Sequence, residues 1–520
     1  MSESHTHDRY IPSRDESRWA DPEEIKRAST IEKINIRAEE CHACGLPIIS
    51  DGRHVHVDNS DTHTLVLGAT GSKKTRLFGM PLINMFALAG ESFIATDPKG
   101  ELEQKTSGLV AAKGYNKVVL DLRDLPKSSL WNPLQIPHEL YHCGRVDEAV
   151  GALSDFLSTL AEPQRNGAKD PYWVEMSYSY ALAFMLFFIE TATLEEANIY
   201  NFANFCATNS TPEATEEIVQ CIAEGSIAHV NFSGVLTNKE ARSTFGNVAS
   251  GVSNMINPFI IRKTLCQVLS DSSFNIRSIG KEKTAIYIIV PDEKTTLHFL
   301  LTAFIKQSYE VLINEAQQQD NKKLPVRLNF LLDEFCNLPT IPDMASMISA
   351  ARSRNMRFFL MVQGMYQLQH RYKEDADTIK GNCDNWVFLT SREYELLNEI
   401  RNLCGDTFYV DSEGNTKPRP LISISELQRL SKERGEALIL HGRHYPFVTS
   451  LPDIDSYEFM KYAPDVAEDR QLPQITPYNV NKVLTAIKGK KRPIPFSVEV
   501  FGREMYSARY SRPKDDVFDW

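Results

Sequence analysis

The stretch HTLVLGATGSKKT at residues 63–75 combines a short apolar run, a glycine-containing loop and the start of a helical pattern. The apolar run has the length and β-branched content of a buried strand. A loop that joins a buried strand to a helix presents backbone amides, and the helix N-terminus adds favourable partial charge for a phosphate group. The stretch therefore predicts an α/β domain with a phosphate-binding turn. A plain strand-to-helix turn with two chance glycines is the structural alternative.

The loop follows, with one mismatch, the pattern GxxxxGK[ST] that binds nucleoside triphosphates. The predicted nucleotide-binding residues are Gly68, Ala69, Thr70, Gly71, Ser72, Lys73, Lys74 and Thr75. We expect Lys74 to reach the β- and γ-phosphates and the Thr75 hydroxyl to bind Mg²⁺. Lys73 replaces the second glycine, where a side chain costs about 1 kcal/mol or more if φ is positive. This replacement weakens the prediction of fast hydrolysis more than that of binding, because a second cation could also contact phosphate.

An acidic pair ends another apolar run, LNFLLDE at residues 328–334. Asp333 is the predicted partner of Thr75 in binding Mg²⁺, and Glu334 is the predicted general base that polarises the attacking water. Acidic pairs after strands are common by chance, but this pair belongs to the same strand–helix pattern as the loop. Together the two motifs predict ATP and Mg²⁺ as cofactors and an ATPase as the activity.

Two further residues are candidates for the catalytic machinery. Gln363 ends the next apolar run, where its amide could contact the γ-phosphate or the attacking water; a polar strand end is the alternative. Arg352 ends the intervening helical segment and could project to a neighbouring subunit as an arginine finger, ahead of Arg354. The alternative for Arg352 is a surface arginine that the helix dipole favours.

The rest of the chain alternates apolar strand-like runs with helical patterns, which predicts a doubly wound, mostly parallel sheet. The predicted strands are residues 63–68, 92–97, 117–122, 284–290, 327–333, 357–363, 385–390 and 437–442. Between the third and fourth runs the strand signal largely disappears and helical patterns replace it. The pair Thr211 and Pro212 is a typical helix start there. The segment is therefore predicted to be an all-α insertion in the α/β domain.

These patterns divide the chain into five segments. Residues 1–61 are predicted to form an N-terminal arm with short strands, and residues 62–138 the first part of the nucleotide-binding domain. Residues 139–235 are the inserted all-α domain, residues 236–451 the second part of the nucleotide-binding domain, and residues 452–520 a proline-interrupted C-terminal extension.

Composition limits the partners of the whole surface. The chain of 520 residues has 57 Lys and Arg against 68 Asp and Glu, a formal net charge of −11. The surface as a whole is therefore not a general nucleic-acid binder, although a local basic channel is compatible with it.

The longest apolar run, residues 180–189, is about half the length of a membrane-spanning helix. We expect no membrane crossing by this chain.

A zinc site is a minor alternative at one place. Cys41 and Cys44 form a CxxC pair, and His54 and His56 lie on one face of a possible strand. A single CxxC pair is weak evidence for zinc, and the nine cysteines are typical of reduced cytosolic thiols.

Several stretches together resemble the coupling ATPases of type IV secretion and conjugative DNA transfer, the TraG/TraD-like proteins. Besides the loop and the acidic pair, the resemblance lies in DPKGE at 97–101, WNPL at 131–134, ARSRNM at 351–356 and GNC at 381–383. It covers about residues 18–450. The spacing of several motifs makes it more specific than any single one.

This resemblance implies a RecA-like P-loop domain with an inserted all-α domain, in a hexameric ring with ATP sites between subunits. It also implies single- or double-stranded DNA as substrate. The implied partners are a relaxase or relaxosome, the channel ATPases and membrane components of the secretion system. Residues 166–172, in the inserted domain, are a candidate for substrate contact.

Two departures from the family pattern change these expectations. The N-terminal membrane helices of the family are absent, so a cytoplasmic chain recruited by a partner to the cytoplasmic face of the cell membrane is expected. Lys73 puts robust turnover in doubt. The expected function is an ATP-dependent coupling protein that recruits and translocates DNA or nucleoprotein to a secretion channel. The alternative is a weakly or non-hydrolysing recruitment adaptor of the same fold; a cytosolic DNA translocase is a third possibility.

Overall fold

The computed structural model describes residues 16–236, 242–291, 293 and 295–489. Parts of the predicted N-terminal arm and C-terminal extension, residues 1–15 and 490–520, lie outside the described residues. The strands are β1 (Ile31–Asn35), β2 (Leu46–Ser50), β3 (His54–Asp58), β4 (Thr64–Leu67), β5 (Ser92–Thr96), β6 (Asn116–Asp121), β7 (Thr284–Ile289), β8 (Leu328–Leu332), β9 (Met356–Val362), β10 (Asn385–Phe388), β11 (Asp406–Val410), β12 (Thr416–Pro420), β13 (Glu436–His441) and β14 (Phe447–Ser450).

The helices alternate with these strands or gather between β6 and β7. They are α1 (Pro22–Lys26), α2 (Met80–Ala89), α3 (Glu101–Ala112), α4 (Gln135–His142), α5 (Val146–Gly167), α6 (Pro171–Thr191), α7 (Ile199–Asn209), α8 (Pro212–Val219), α9 (Ile227–Leu236), α10 (Arg242–Ile260), α11 (Lys263–Val268), α12 (His298–Gln317), α13 (Met344–Ala351), α14 (Met365–Tyr372), α15 (Asp375–Asn382), α16 (Tyr394–Cys404), α17 (Ile424–Leu427) and α18 (Val480–Gly489).

A nine-stranded sheet forms the first compact unit, which comprises the described residues within Met1–Val118, Arg277–Asp292 and Val311–Val466. Its strand order is β14-β13-β10-β4-β9-β8-β5-β7-β6. The pairings from β10 through β4, β9, β8 and β5 to β7 are all parallel, whereas β13 and β14 add antiparallel strands at one edge. All eight predicted apolar runs are strands of this sheet. The predicted α/β class with a mostly parallel sheet is confirmed.

The central position of β4 follows from its sequence. Leu65, Val66 and Leu67 are fully buried because parallel neighbours flank the strand and helices cover the sheet. Parallel strands end at the same edge of a sheet, so the turns after β4, β5, β8 and β9 are brought together there.

Two smaller sheets of the same unit carried weaker sequence signals. Antiparallel β1, β3 and β2 form a three-stranded sheet, and β11 with β12 forms a hairpin. Residues 31–35 read IEKIN, in which two adjacent charged residues separate the isoleucines, so the run is less apolar than the central strands.

The second compact unit is helical and comprises the described residues within Val119–Ile276, Glu293–Glu310 and Ala467–Trp520. The sequence predicted this insertion at residues 139–235, whereas the unit begins earlier and also includes α10 and α11. The unit extends past residue 235 because α10 packs along α6 and α7. Thr211 caps α8 as expected, since its side chain accepts a hydrogen bond from Ala214 N.

The longest apolar segment lies in this unit. By length and composition α6 is long and apolar enough to cross a membrane, alone among the helices of the described residues. However, 67% of its apolar stretch is buried inside the protein. Phe184 of α6 packs edge-on against Phe205 and Phe232, as a core helix would.

Candidate functional site

The loop after β4 is fixed to both neighbouring strands. Gly68 N donates to Val362 O of β9 at 3.1 Å, and Ala69 N donates to Thr390 O, just after β10, at 2.9 Å. These bonds continue the sheet pairing into the first two residues of the loop. The loop therefore begins from a rigid position at the carboxyl edge of the sheet.

Both loop glycines are required by the geometry. A Cβ atom at Gly68 would lie 2.5 Å from the Ser72 hydroxyl oxygen, and Gly71 has φ 79°, in the left-handed region. Ser72 is 2% exposed, and its hydroxyl has no hydrogen-bond partner among the described residues. A buried polar atom without a partner in a glycine-lined turn fits a loop that surrounds a polar ligand.

Lys73 adopts φ 67°, a left-handed conformation that costs a non-glycine residue roughly 1 kcal/mol or more. Its side chain contacts a carboxylate of the protein: Nζ donates to Asp453 Oδ2 at 3.3 Å. A contact between this amine and phosphate therefore stays a prediction, and in the structure the amine pairs with Asp453.

Lys74 is 5% exposed, and its Nζ donates to the Gly68 carbonyl oxygen at 2.5 Å, so the amine lies within the loop. Burial lowers the pKa of Lys74, although the Glu334 and Asp333 carboxylates oppose this effect. A buried amine that faces two carboxylates across the loop is suited to binding a multiply charged anion together with a cation.

The loop and the acidic pair meet at Thr75 and Asp333. Thr75 Oγ1 donates to Asp333 Oδ2 at 3.1 Å, and Thr96 Oγ1 donates to the Asp333 carbonyl oxygen at 2.9 Å. Burial raises the pKa of Asp333, and the adjacent Glu334 carboxylate adds to this rise. A hydroxyl and a carboxylate at one point are oxygen ligands of the kind that Mg²⁺ prefers, so the residues present fit this ion.

Glu334 and Gln363 are also brought together. Glu334 has φ 52°, and its Oε2 accepts hydrogen bonds from Gln363 Nε2 at 2.6 Å and from Asn337 Nδ2 at 3.3 Å. The sequence left Gln363 either as a contact to phosphate or water or as a polar strand end. In the structure its amide donates to the neighbouring Glu334 carboxylate, and the contact to phosphate or water stays a prediction. Asn337 was missed as a contributor, although it is only three residues after Glu334.

Arg352 pairs with a residue outside this cluster. Its side chain is 56% exposed, and Nη1 pairs with Asp384 Oδ2 at 2.9 Å. Arg354 Nη1 donates to the Ala350 carbonyl oxygen at 3.4 Å. An exposed arginine at the end of a helix is compatible with an arginine finger that reaches a neighbouring subunit and with a surface arginine that the helix dipole favours.

Two carboxylates near the site were not assigned a role from the sequence. Asp97 is 2% exposed, and its Oδ2 accepts from Glu103 N at 2.8 Å in the first turn of α3. Burial raises the pKa of Asp97 to about 6, and the Asp333 carboxylate adds to the rise. The second carboxylate is Asp453, 380 positions from its partner Lys73. The DPKGE stretch signalled Asp97, but no local pattern signals Asp453.

The cysteine pair has other contacts. Cys44 is buried, and its sulfur accepts a hydrogen bond from Arg357 Nη2 at 3.4 Å, while Cys41 Sγ bonds to the Ala43 carbonyl oxygen. Within the described ranges, no three His, Cys, Asp or Glu residues are grouped as they would be to hold a metal ion.

Comparison with known proteins places these features in a family. Residues 18–434 match the family described as "Type IV secretory system Conjugative DNA transfer". Protein VirD4 of Rhizobium radiobacter is 24% identical over 419 residues, which cover 73% of this chain and 55% of that protein. The chain thus spans about half the length of this curated relative.

Solved structures of the plasmid coupling protein TrwB share the fold. TrwB in complex with the GTP analogue GDPNP has a TM-score of 0.54 and 17% identity, covering 83% of this chain and 92% of TrwB. TrwB in complex with the ATP analogue ADPNP has a TM-score of 0.52 and 17% identity, covering 91% and 98%. The RecA-like P-loop fold predicted from the sequence is therefore confirmed. Because the family match extends over most of the sequence, the chain belongs to the type IV secretory system family of conjugative DNA-transfer proteins.

Proposed function

We propose that this chain is a Mg²⁺- and ATP-dependent coupling protein that recruits DNA or nucleoprotein and drives it toward a type IV secretion channel. Family membership supports the biological setting. The observation that carries the ATPase proposal is the hydrogen bond between Thr75 and Asp333, which joins the phosphate loop to the acidic pair across 258 positions of sequence.

The geometry supports the following residue roles. Lys74 neutralises phosphate charge from within the loop, while the Thr75 hydroxyl and the Asp333 carboxylate hold Mg²⁺. The ion, when bound, supplies charge stabilisation to the phosphates. Glu334 accepts a proton from the attacking water, and the amides of Gln363 and Asn337 orient its carboxylate through Oε2.

The first test is nucleotide binding by the full chain. Lys74→Ala should abolish binding of a fluorescent ATP analogue in the presence of Mg²⁺, because it removes the buried amine of the loop. Glu334→Gln should retain binding and lose hydrolysis. Lys105→Ala, an exposed lysine on α3, is the matched control. Unchanged binding by Lys74→Ala would count against the ATPase proposal.

Assembly and partners belong to the same proposal. A hexameric ring would place the nucleotide sites between subunits and Arg352 of one subunit beside the loop of the next. Single- or double-stranded DNA, a relaxase or relaxosome and the channel ATPases are the partners, with recruitment to the cytoplasmic face of the membrane through a membrane component. Sedimentation analysis with and without ATP and DNA tests the assembly, and a ring that never forms under these conditions would contradict it.

A recruitment adaptor is the second candidate, favoured by Lys73. Its left-handed backbone and its contact with Asp453 distinguish this loop from one with glycine at the same position. ATPase assays with single- and double-stranded DNA separate the candidates. Turnover stimulated by DNA supports the motor, whereas retained relaxase binding without turnover under any of these conditions supports the adaptor.

A further inference from the structure

Two residues of the phosphate loop have left-handed backbones, and only one of them is glycine. Gly71 has φ 79° and Lys73 has φ 67°. Glycine adopts this region freely, whereas a Cβ atom makes it unfavourable for lysine. The Lys73 conformation therefore needs support from elsewhere in the protein.

A carboxylate from far along the chain contacts this part of the loop. Asp453 Oδ2 accepts from Lys73 Nζ at 3.3 Å and from Arg76 Nε at 3.1 Å, and Arg76 Nη2 also pairs with Asp453 Oδ1 and with Asp455. Lys73 and Arg76 lie on either side of Lys74 and Thr75. One carboxylate thus connects both ends of the segment that carries the predicted phosphate and metal contacts.

The segment that presents Asp453 is itself firmly packed. Leu451 is 3% exposed and its amide donates to Gly435 O at 2.9 Å, while Ile454 is completely buried. A Cβ atom at Gly435 would lie 2.2 Å from the Leu451 carbonyl oxygen and 3.3 Å from the Leu77 side chain, close to the loop. Asp453 is therefore held in place by buried neighbours on both sides.

Electrostatics favours the charged form of this contact. Burial opposes ionisation of Asp453, but hydrogen bonds from Arg76 and Lys73 outweigh it and lower the pKa of the carboxyl group. Asp453 is accordingly an anion at neutral pH, and its two cationic partners attract it across a partly buried contact.

We propose that Asp453 is a positioning residue of the phosphate loop, whose carboxylate holds the Lys73 side chain and stabilises the left-handed backbone that glycine would otherwise supply. This inference rests on the proposed nucleotide binding. It assigns the loop lysine to a structural contact and leaves Lys74 as the phosphate-binding amine.

A four-member variant cycle tests the inference: the parent chain, Asp453→Asn, Lys73→Gly and the double variant. Binding of a fluorescent ATP analogue with Mg²⁺ is the measurement. Asp453→Asn should weaken binding about fivefold in the parent but no more than about twofold in the Lys73→Gly background, where glycine needs no support and only the contact with Arg76 is weakened. Asp453→Glu, which keeps the charge, should restore binding to within about twofold of the parent.

The controls distinguish a failed inference from a failed function. Asp465→Asn alters another carboxylate of the C-terminal part, which pairs with Lys117 at 2.6 Å, and should leave binding unchanged. An equal loss in the parent and in the Lys73→Gly background, or no loss in either, overturns the positioning role. Absence of binding by the parent overturns the proposed function instead.

Chemical denaturation of the same four variants then tests the contact without nucleotide. Asp453→Asn should lower the unfolding free energy more in the parent than in the Lys73→Gly background. Equal reductions in the two backgrounds would overturn the link between Asp453 and Lys73.

Discussion

Glu334 has a left-handed backbone, φ 52°, at the position predicted to activate water. Such conformations in residues other than glycine store strain of roughly 1–3 kcal/mol and are concentrated at functional sites. Local sequence identified the acidic pair, because Asp-Glu directly follows a buried strand. The conformation itself could not be predicted, because it depends on how the end of β8 meets the neighbouring turns.

This strain predicts which of two substitutions at Glu334 gives the more stable protein. Glu334→Gly should be more stable than Glu334→Ala by about 1 kcal/mol, because both lose the carboxylate but only glycine relieves the Cβ atom at positive φ. Urea denaturation measures the difference. At Lys105, in the interior of α3, the order of stability should reverse. Lys105→Ala should be more stable than Lys105→Gly by about 1 kcal/mol, because alanine favours the helical conformation more than glycine does. Equal stability of the two Glu334 variants would mean that the turn is not strained.

At the scale of elements, the sequence was most informative for the central sheet. The strands from β4 to β10 appeared as near-continuous apolar runs because parallel strands are covered on both faces. β1 was less apparent because two adjacent charged residues interrupt its apolar pattern. The helical unit extends past residue 235 because a later helix packs along α6. These features depend on tertiary contacts that no local window contains. The Asp453 contact was missed for the same reason.

Glu190, near the end of α6, provides a test of the helical unit by pH. Burial raises the pKa of Glu190 to about 8 from an ordinary value near 4.5. The unfolded chain therefore ionises this group at lower pH than the folded chain, so stability present below pH 4.5 is lost as pH rises through 8. Glu190→Gln, which resembles the protonated form, should remove this loss.

The measurement is the unfolding free energy of parent and Glu190→Gln at two pH values. The unfolding free energy of Glu190→Gln minus that of the parent should increase by about 2 kcal/mol between about pH 5 and about pH 9. This value is smaller than the full pKa shift implies, because solvent partly screens the group. Glu224→Gln, at an exposed position in the same unit, should show no such growth. A constant difference across this range would contradict the burial of Glu190.

At the scale of the whole molecule, the proposed ring predicts that subunits share active sites. Lys74→Ala and Arg352→Ala should each abolish most ATP hydrolysis. Mixing the two variants should restore part of it, because some sites then combine an intact loop from one subunit with an intact arginine from its neighbour. Steady-state ATPase rates of the mixtures measure the recovery.

The outcome separates the two interpretations of Arg352. A mixture of Lys74→Ala and Glu334→Gln, which alter residues of the same site, should show no recovery. Recovery restricted to the Arg352 mixture supports the finger. No recovery in either mixture would leave Arg352 as a surface residue that pairs with Asp384.

The two antiparallel strands at the sheet edge, β13 and β14, lie entirely beyond residue 434, where the family match ends. Asp453 follows β14 in the sequence and contacts Lys73 of the phosphate loop. A fragment that ends at residue 434 would lack the carboxylate that pairs with Lys73 and Arg76, and β10 would lose its antiparallel neighbour β13 and become an edge strand. The part of the chain that supports the phosphate loop therefore extends beyond the family match, at least to Asp453 and the buried Ile454 that follows it.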